Sequence, residues 1–205
     1  REIAALGRCD HPNVVKILTS GVDPKRCWYA MELVDGADLS QVGRRLSRTG
    51  RGPAPTSGGS PDAAGPSIPD KGFHTWLAGL FADAALGLEH IHRHGVIHRD
   101  VKPGNLMLTA DSKRIVVMDL GLAKLLDASQ ALTRSDAAPV GTMRYIAPEQ
   151  LRRNLAKVDH RADVYSFGAT LYELACSRPM YDGDSHERLV QQILNEEPPP
   201  PRKVD

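Results

Sequence analysis

The sequence predicts an α+β fold, because long helical patterns and short β-rich runs follow one another along the chain. The strongest helical pattern runs from Phe73 to His94, where apolar residues recur every three or four positions and Gly95 can cap the end. A second apolar helix is predicted from Asp163 to Cys176. Apolar, β-rich runs flank a polar turn within Val96–Met118. We therefore expect the two helices to cross the core, with short strands between them.

Other segments add shorter elements. Val14–Leu18 and Cys27–Val34 are predicted strands, and the Gly21-Asp23-Pro24 region between them has the composition of a turn. A last helix is predicted over Ser185–Asn195. It has to end before the run Pro198–Pro201, since proline cannot continue a helix.

One segment has the composition of a disordered insertion. From Ser47 to Ser67 there is no Val, Ile, Leu, Met, Phe, Trp or Tyr, and Gly, Pro, Ser and Ala dominate. Such a segment cannot bury enough apolar surface to offset its loss of conformational entropy. We assign residues 43–72 to this insertion and expect a passive loop rather than a docking linker.

Composition favours one soluble globular domain. The chain has 205 residues, 41% hydrophobic and 25% charged, and a net charge of +1. This charge gives no reason to expect binding to nucleic acid or to an anionic membrane, and no apolar run is long enough to span a bilayer. Three widely spaced cysteines (Cys9, Cys27 and Cys176) suit reduced thiols in the cytoplasm.

The run from His98 to Asn105 holds the candidate chemistry. Pro103 and Gly104 force a turn that can point Asp100, Lys102 and Asn105 into one cleft. Asp119 closes a second apolar run shortly afterwards. Any one of these residues alone is most often an ordinary turn residue. Together, two carboxylates and an amide at strand ends can hold Mg²⁺ and place a hydroxyl group for phosphoryl transfer.

Three short motifs follow one another in a specific order: His98-Arg99-Asp100 with Asn105, then Asp119-Leu120-Gly121, then Ala147-Pro148-Glu149. This order resembles the catalytic core of the eukaryotic-type protein kinases. The resemblance covers essentially the whole chain. It implies a two-lobed fold in which residues 1–34 are the remnant of the small lobe and hinge, and 73–205 are a truncated, mostly helical large lobe.

The resemblance implies roles in phosphate transfer from ATP to protein Ser or Thr hydroxyl groups. Asp100 would accept or orient the proton of the substrate hydroxyl, and Lys102, which is the Ser/Thr pattern of the family, would offset phosphate charge. Asn105 and Asp119 would hold Mg²⁺ between the ATP phosphates. Leu120 departs from the family pattern, which usually has Phe at this position.

It also implies a set of nucleotide-binding residues. Glu2 stands at the position of the glutamate that pairs with the ATP-binding lysine. Met31 matches the gatekeeper, and the backbone groups of Glu32 and Val34 would receive the adenine edge. Met107 would form an apolar floor under the adenine ring.

Regulatory and substrate-facing residues follow by the same resemblance. Arg99 would pair with a phosphate on the activation loop, and Thr133 and Ser135 are candidate acceptors of that phosphate. Thr142 lies in the stretch before Ala147-Pro148-Glu149 that would face a peptide substrate.

Histidines of the long predicted helix invite a different interpretation. His90 and His94 lie one turn apart, as metal ligands often do, but no further ligand is evident nearby in the sequence. We therefore predict that His90, His92 and His94 are helix-surface residues.

The leading hypothesis is an ATP-dependent protein serine/threonine kinase, represented by a fragment. The glycine-rich loop and the ATP lysine would precede Arg1, and further helices would follow Asp205, so residues 1–205 alone are expected to have little or no activity. The alternative is a pseudokinase-like protein-binding module. A small-molecule kinase of similar fold is disfavoured, because Gly141–Glu149 matches a stretch that faces peptide substrates.

Overall fold

The computed structural model describes residues 9–22, 27–49, 66–120, 140–151 and 158–204. The chain forms two compact units. The first unit comprises Arg1–Val96 and Pro103–Leu120, and the second comprises Ile97–Lys102 and Gly121–Asp205. Helices and strands are mixed, so the predicted α+β class is confirmed. Within the described ranges, no helix combines the length and the apolar composition that a bilayer span requires.

The first unit contains two small antiparallel sheets. Strands β1 (Ile17–Val22) and β2 (Cys27–Met31) pair as a hairpin. Strands β3 (Gly36–Asp38), β4 (Leu106–Thr109) and β5 (Ile115–Val117) form the other sheet in the order β3-β4-β5. All three residues of β5 are buried, as is usual for a short apolar strand between two covered faces.

Two predicted strands have different bounds in the structure. The strand predicted over Val14–Leu18 begins only at Ile17, because Val14 forms a parallel bridge with Val117 of the other sheet instead. The Val15 N–H donates to the Val117 carbonyl at 3.0 Å. The strand predicted over Cys27–Val34 ends at Met31. The predicted turn at Asp23 and Pro24 lies outside the described residues.

Helix α2 confirms the strongest sequence pattern. It runs over Phe73–Arg93, and its predicted apolar stripe is buried (Leu77, Leu80, Phe81, Ala84, Leu88 and Ile91). Gly95 adopts φ 75°, a left-handed conformation that glycine tolerates. The Gly95 N–H donates to His92 O at 2.9 Å and the Val96 N–H to Ile91 O at 3.2 Å. This pair of bonds is a Schellman motif, which satisfies the last carbonyl groups of the helix.

Helix α1 (Leu39–Thr49) corrects the predicted insertion over 43–72, since residues 43–49 are helical. The apolar residues Leu39, Val42 and Leu46 are buried at helical spacing. Asp38 caps the helix by accepting a hydrogen bond from the Gln41 N–H at 2.9 Å. At the other end of the predicted insertion Ile68 is buried, and residues 50–65 lie outside the described residues.

The second unit is helical in its described part. It contains α3 (Val140–Met143), α4 (Pro148–Leu151), α5 (Arg161–Cys176) and α6 (His186–Asn195). A core cluster joins Met143, Tyr181, Leu189 and Ile193. Helix α5 starts two positions before the predicted Asp163. The prediction for α6 is confirmed, with Ser185 as its N-cap accepting from the Arg188 N–H at 3.2 Å.

Candidate functional site

The loop that carries Asp100 is bound to the first turn of helix α5 in the second unit. The backbone N–H groups of His98 and Arg99 each donate to the Asp163 carboxylate at 2.7 Å. Asp163 and His98 are completely buried. A carboxylate near a helix N-terminus is stabilised by the helix dipole, and hydrogen bonds to a charged acceptor are about twice as strong as neutral ones. This anchor holds Arg99 at φ 61°, a conformation that non-glycine residues rarely adopt.

Asp100 and Lys102 lie together on this loop. The Lys102 Nζ donates to Asp100 Oδ2 at 3.0 Å, and the two side chains are 27% and 21% exposed, respectively. The Asp100 N–H lies 3.3 Å from His98 Nδ1, which further fixes the turn. The arrangement places a proton acceptor and a cation side by side at a partly open surface. These are the two groups that phosphate transfer to a hydroxyl requires.

In the first unit, Asn105 and Asp119 lie on neighbouring pieces of backbone. Asn105 ends a short 3₁₀ turn (Pro103–Asn105) and is buried, whereas Asp119 is exposed. The Met118 N–H donates to the Asn105 carbonyl at 2.8 Å, which ties the end of β5 to this turn. Asp119 itself adopts φ 48°. An amide oxygen and a carboxylate so held are hard oxygen donors, and this donor set fits Mg²⁺.

Tyr29 is a site neighbour that the sequence did not reveal. Its hydroxyl donates to Asp119 Oδ1 at 3.2 Å. Burial, the negative charge of Asp119 and this hydrogen bond together raise the pKa of Tyr29, so the phenol keeps its proton at neutral pH. The two residues are far apart in the sequence, and no local pattern links them.

The hinge residues predicted to bind adenine follow β2. The Glu32 N–H donates to Lys16 O at 3.0 Å, and the Lys16 N–H donates to Glu32 Oε1 at 3.0 Å. The Val34 N–H makes no hydrogen bond to any of the residues that the structure describes. A free N–H at this position is what an adenine edge would need. Met31 is partly exposed at the end of β2.

Met107 lies in the middle strand of the three-stranded sheet. It pairs with Asp38 of β3 and Val116 of β5, and its side chain is half-buried. The strand β3 follows the hinge directly, so the hinge and Met107 belong to the same small sheet region. An apolar side chain on such a sheet can support a flat aromatic ring.

The stretch before Ala147-Pro148-Glu149 is anchored on helix α5 as well. Thr142 lies in the short helix α3 and is half-buried. The Tyr145 hydroxyl donates a hydrogen bond to Glu173 Oε2 at 2.7 Å. The Tyr145 backbone carbonyl accepts a hydrogen bond from Ser166 Oγ at 2.6 Å. Burial and the Glu173 charge raise the pKa of Tyr145, so it stays a hydrogen-bond donor.

The structure describes only one of the remaining predicted site residues. Arg99 is half-buried on the same loop as Asp100. Glu2, Thr133 and Ser135 lie outside the described residues, and their assignments stay predictions.

In helix α2, His90 is half-buried at the helix surface, but a further potential ligand, which the sequence spacing did not indicate, lies near it. The His90 Nε2 atom is buried, and His90 lies with His94 next to Cys9 in a cluster of potential metal ligands. The sequence separation of Cys9 from the helix explains why spacing could not reveal this cluster. His94 is exposed, as predicted.

Comparison with known proteins places these features in a family. The sequence profile of the protein kinase domain matches residues 1–202. The chain is 37% identical over its whole length to the DNA damage-responsive serine/threonine-protein kinase RqkA of Deinococcus radiodurans, of which it covers 27%. It is 33% identical over 98% of its length to the serine/threonine-protein kinase PknB of Mycobacterium leprae, of which it covers 29%. A probable serine/threonine-protein kinase of Streptomyces coelicolor is 34% identical over the whole chain, which covers 27% of that protein.

The chain thus spans less than a third of the length of these curated relatives. The profile of the protein kinase domain nevertheless matches residues 1–202, which is almost the whole of this chain. The chain belongs to the protein kinase family.

Proposed function

We propose that this chain carries phosphate-transfer residues of an ATP-dependent protein serine/threonine kinase. The observation that carries the proposal is the Asp100–Lys102 pair, 3.0 Å apart on a loop whose backbone is bound by the buried Asp163. In the reaction, a Ser or Thr hydroxyl oxygen bonds to the γ-phosphorus of ATP. The bond from that phosphorus to the bridging oxygen breaks, and ADP leaves.

Asp100 is the acceptor for the hydroxyl proton. Its carboxylate is about one-fifth exposed, so a substrate hydroxyl can reach it, and the loop anchor limits its movement. Lys102 Nζ supplies positive charge beside it and offsets the charge of the transferred phosphate. A lysine at this position follows the Ser/Thr pattern of the family.

Asn105 and Asp119 are the proposed ligands of Mg²⁺. One is a buried amide and the other an exposed carboxylate, and the bond from Met118 N–H to Asn105 O keeps their backbones adjacent. The ion, when bound, neutralises negative charge on the ATP phosphates. Tyr29 orients the Asp119 carboxylate through its hydrogen bond.

For the nucleotide, we propose that the Glu32 carbonyl and the Val34 N–H bind the adenine edge above Met107. The Glu32 N–H is already used by Lys16, which leaves its carbonyl for the ligand. Glu2 would hold the ATP lysine of the full-length protein.

The substrate side and the regulation rest on the family alone. Arg99 would bind an activation-loop phosphate on Thr133 or Ser135, and Thr142 would face the peptide. The partner is a protein with a Ser or Thr acceptor, and we expect neither nucleic-acid binding nor a membrane segment in this part of the protein. The widely spaced cysteines favour a cytoplasmic location.

The decisive experiment is phosphate transfer by Asp100→Asn in the full-length protein. Asparagine keeps the shape of the side chain but cannot accept a proton, so transfer from labelled ATP to a Ser/Thr substrate should fall by at least about 100-fold. ATP binding should be retained. The control is the variant Asp184→Asn, which changes an exposed residue of the second unit. This variant should transfer phosphate as the wild type does.

If Asp100→Asn retains wild-type turnover, the catalytic carboxylate lies elsewhere. A wild-type protein that binds ATP without transferring phosphate would instead indicate the binding-module alternative.

A further inference from the structure

A cluster of soft metal ligands lies in the first unit, apart from the oxygen donors of Asn105 and Asp119. It comprises Cys9, His90 and His94, whose potential ligand atoms all lie within 4.8 Å of one another. We call these three residues the Cys9 cluster.

Helix geometry accounts for two members of the Cys9 cluster. His90 and His94 lie four positions apart on helix α2, so their side chains share one face. Their ring centroids are 4.5 Å apart. Cys9 comes from the segment before β1 and contributes a buried thiol to the same place. The fold has therefore brought a thiol from one segment onto a pre-formed pair of imidazoles.

The hydrogen bonds of the histidines leave nitrogen atoms available for a metal. His94 Nδ1 lies 2.8 Å from the His90 carbonyl, which fixes the tautomer that protonates Nδ1 and leaves a lone pair on Nε2. Binding of the second ring nitrogen to a carbonyl is the usual support for a metal-ligating histidine. His90 Nε2 is buried and has no hydrogen-bond partner among the described residues. A buried polar atom without a partner is rare and calls for an explanation.

His11 packs beside the Cys9 cluster but is not one of its proposed ligands. Its ring packs on His90 with centroids 5.4 Å apart. His11 Nδ1 accepts a hydrogen bond from the Asn13 N–H at 3.1 Å, which puts the ring proton of the neutral form on Nε2. That nitrogen has no lone pair to offer.

We infer that Cys9, His90 and His94 form a zinc site, to which the described residues supply these three ligands. A thiolate with two imidazoles suits Zn²⁺, whereas Mg²⁺ prefers oxygen ligands. Zinc bonds of about 2.0 to 2.3 Å place tetrahedral ligand atoms about 3.3 to 3.8 Å apart. The side chains thus need to close by about 1 Å from the present separation of up to 4.8 Å.

The pKa shifts of the histidine and the cysteine act on metal binding in opposite directions. Burial and the neighbouring charges of His94 and His11 lower the pKa of His90, which favours the neutral imidazole that binds metals. Burial raises the pKa of the Cys9 thiol, so zinc binding has to release its proton to the solvent.

A zinc ion here would tie two parts of the first unit together. It would bind the segment at Cys9 to helix α2, and that segment continues into Asn13–Val15, which contacts β5. The bond from Val117 N–H to Asn13 O is 2.8 Å long, and β5 leads directly to Asp119. The site would thus stabilise the support of the proposed magnesium ligand without sharing any donor with it.

The test is titration of the metal-free protein with Co²⁺, a spectroscopic substitute for Zn²⁺. The wild type should bind one equivalent with a thiolate-to-cobalt charge-transfer band in the near ultraviolet, and Zn²⁺ should displace it. Cys9→Ser should abolish the band. His90→Gln and His94→Gln should each weaken binding by more than about 100-fold, beyond the effect of a residue that only supports a ligand.

Matched controls lie on the same helix and in the other unit. His92→Gln, on the side of α2 opposite the cluster, and Cys176→Ser, in α5, should both keep the band and the affinity. Circular dichroism of each variant tests folding. If a variant does not fold, the wild type alone carries the test, and its melting temperature should rise with Zn²⁺.

The inference is overturned if the wild type binds no Co²⁺, or if Cys9→Ser shows the same band as the wild type. An unchanged melting temperature of the wild type with saturating Zn²⁺ would also overturn it. None of these outcomes depends on kinase activity, so the proposed function stands or falls separately.

Discussion

The loop Ile97–Lys102 and the segment Pro103–Leu120 carry the residues of the proposed chemistry, but they are held in different ways. The loop depends on one side chain, because the Asp163 carboxylate accepts both of its anchoring N–H groups. The segment depends on many backbone bonds. Strands β4 and β5 pair with each other, and Met118 binds Asn105 through the backbone. Asn13 binds Val117 through its backbone and Ile115 through its side-chain amide.

The difference shows two solutions to one problem, which is to hold polar side chains at fixed positions in irregular backbone. A buried carboxylate concentrates the stabilisation in one residue, so one substitution can release the loop. A backbone ladder spreads it over several residues, so no single side chain is decisive. We therefore expect the two regions to respond very differently to mutation.

The largest effect on stability is expected from Asp163→Ala. It removes two hydrogen bonds to a charged acceptor, each worth about 1.5 to 3 kcal/mol, and leaves the N–H groups of His98 and Arg99 without this partner. The free energy of unfolding in urea should fall by about 3 kcal/mol or more. Asp182→Ala, at an exposed position of the same unit, should change it by less than about 0.5 kcal/mol. Equal effects of the two variants would contradict a concentrated anchor.

A smaller loss of stability is expected from Gly87→Ala, which disturbs one of the residues that hold the segment Pro103–Leu120. A Cβ atom at Gly87 would lie 2.9 Å from Asn13 Cβ and 3.0 Å from Asn13 O, and so push on the residue that binds β5. Overpacking of this kind costs about 1 to 3 kcal/mol, and the gain of about 1 kcal/mol from replacing a helical glycine offsets part of it. The net result should be a loss of up to about 2 kcal/mol. The control is Gly79→Ala on the same helix, where a Cβ meets nothing within 4 Å. Alanine there should stabilise the protein by up to about 1 kcal/mol, because glycine is a poor helix former.

Thermal or urea denaturation of the two glycine variants should therefore give opposite signs. If both variants are stabilised, the contact between α2 and Asn13 does not limit the packing, and the distributed network is looser than we infer.

Much of the fold was predictable where local patterns agree with packing. The stripe of α2 follows from helical periodicity, and Gly95 could be placed as a cap because glycine is favoured directly after the end of a helix. Helix α1 could have been found too, from Leu39, Val42 and Leu46 behind an Asp cap. The predicted insertion instead included residues 43–49, because the segment that follows them is rich in Gly and Pro.

Strand bounds and long-range contacts were harder, since partners distant in sequence decide them. Val14 looks like a residue of β1, but it bridges to Val117. Tyr29 reaches Asp119, and Cys9 reaches His90, through contacts that no spacing rule encodes. The motif around Asp100 was recognisable because its residues are close in sequence, whereas Asp163, which binds the backbone of this loop, lies more than 60 positions further along the chain.

The most direct test of the account measures Mg²⁺-dependent ATP binding by isothermal titration calorimetry for Asp100→Asn and Asp119→Asn in the full-length protein. Proton transfer is the proposed role of Asp100, and metal binding is the proposed role of Asp119. Asp119→Asn should weaken Mg²⁺-dependent binding by at least about tenfold, equivalent to about 1.4 kcal/mol. Asp100→Asn should bind ATP as the wild type does while failing to transfer phosphate. Wild-type ATP affinity in Asp119→Asn, or a loss of affinity confined to Asp100→Asn, would contradict this division.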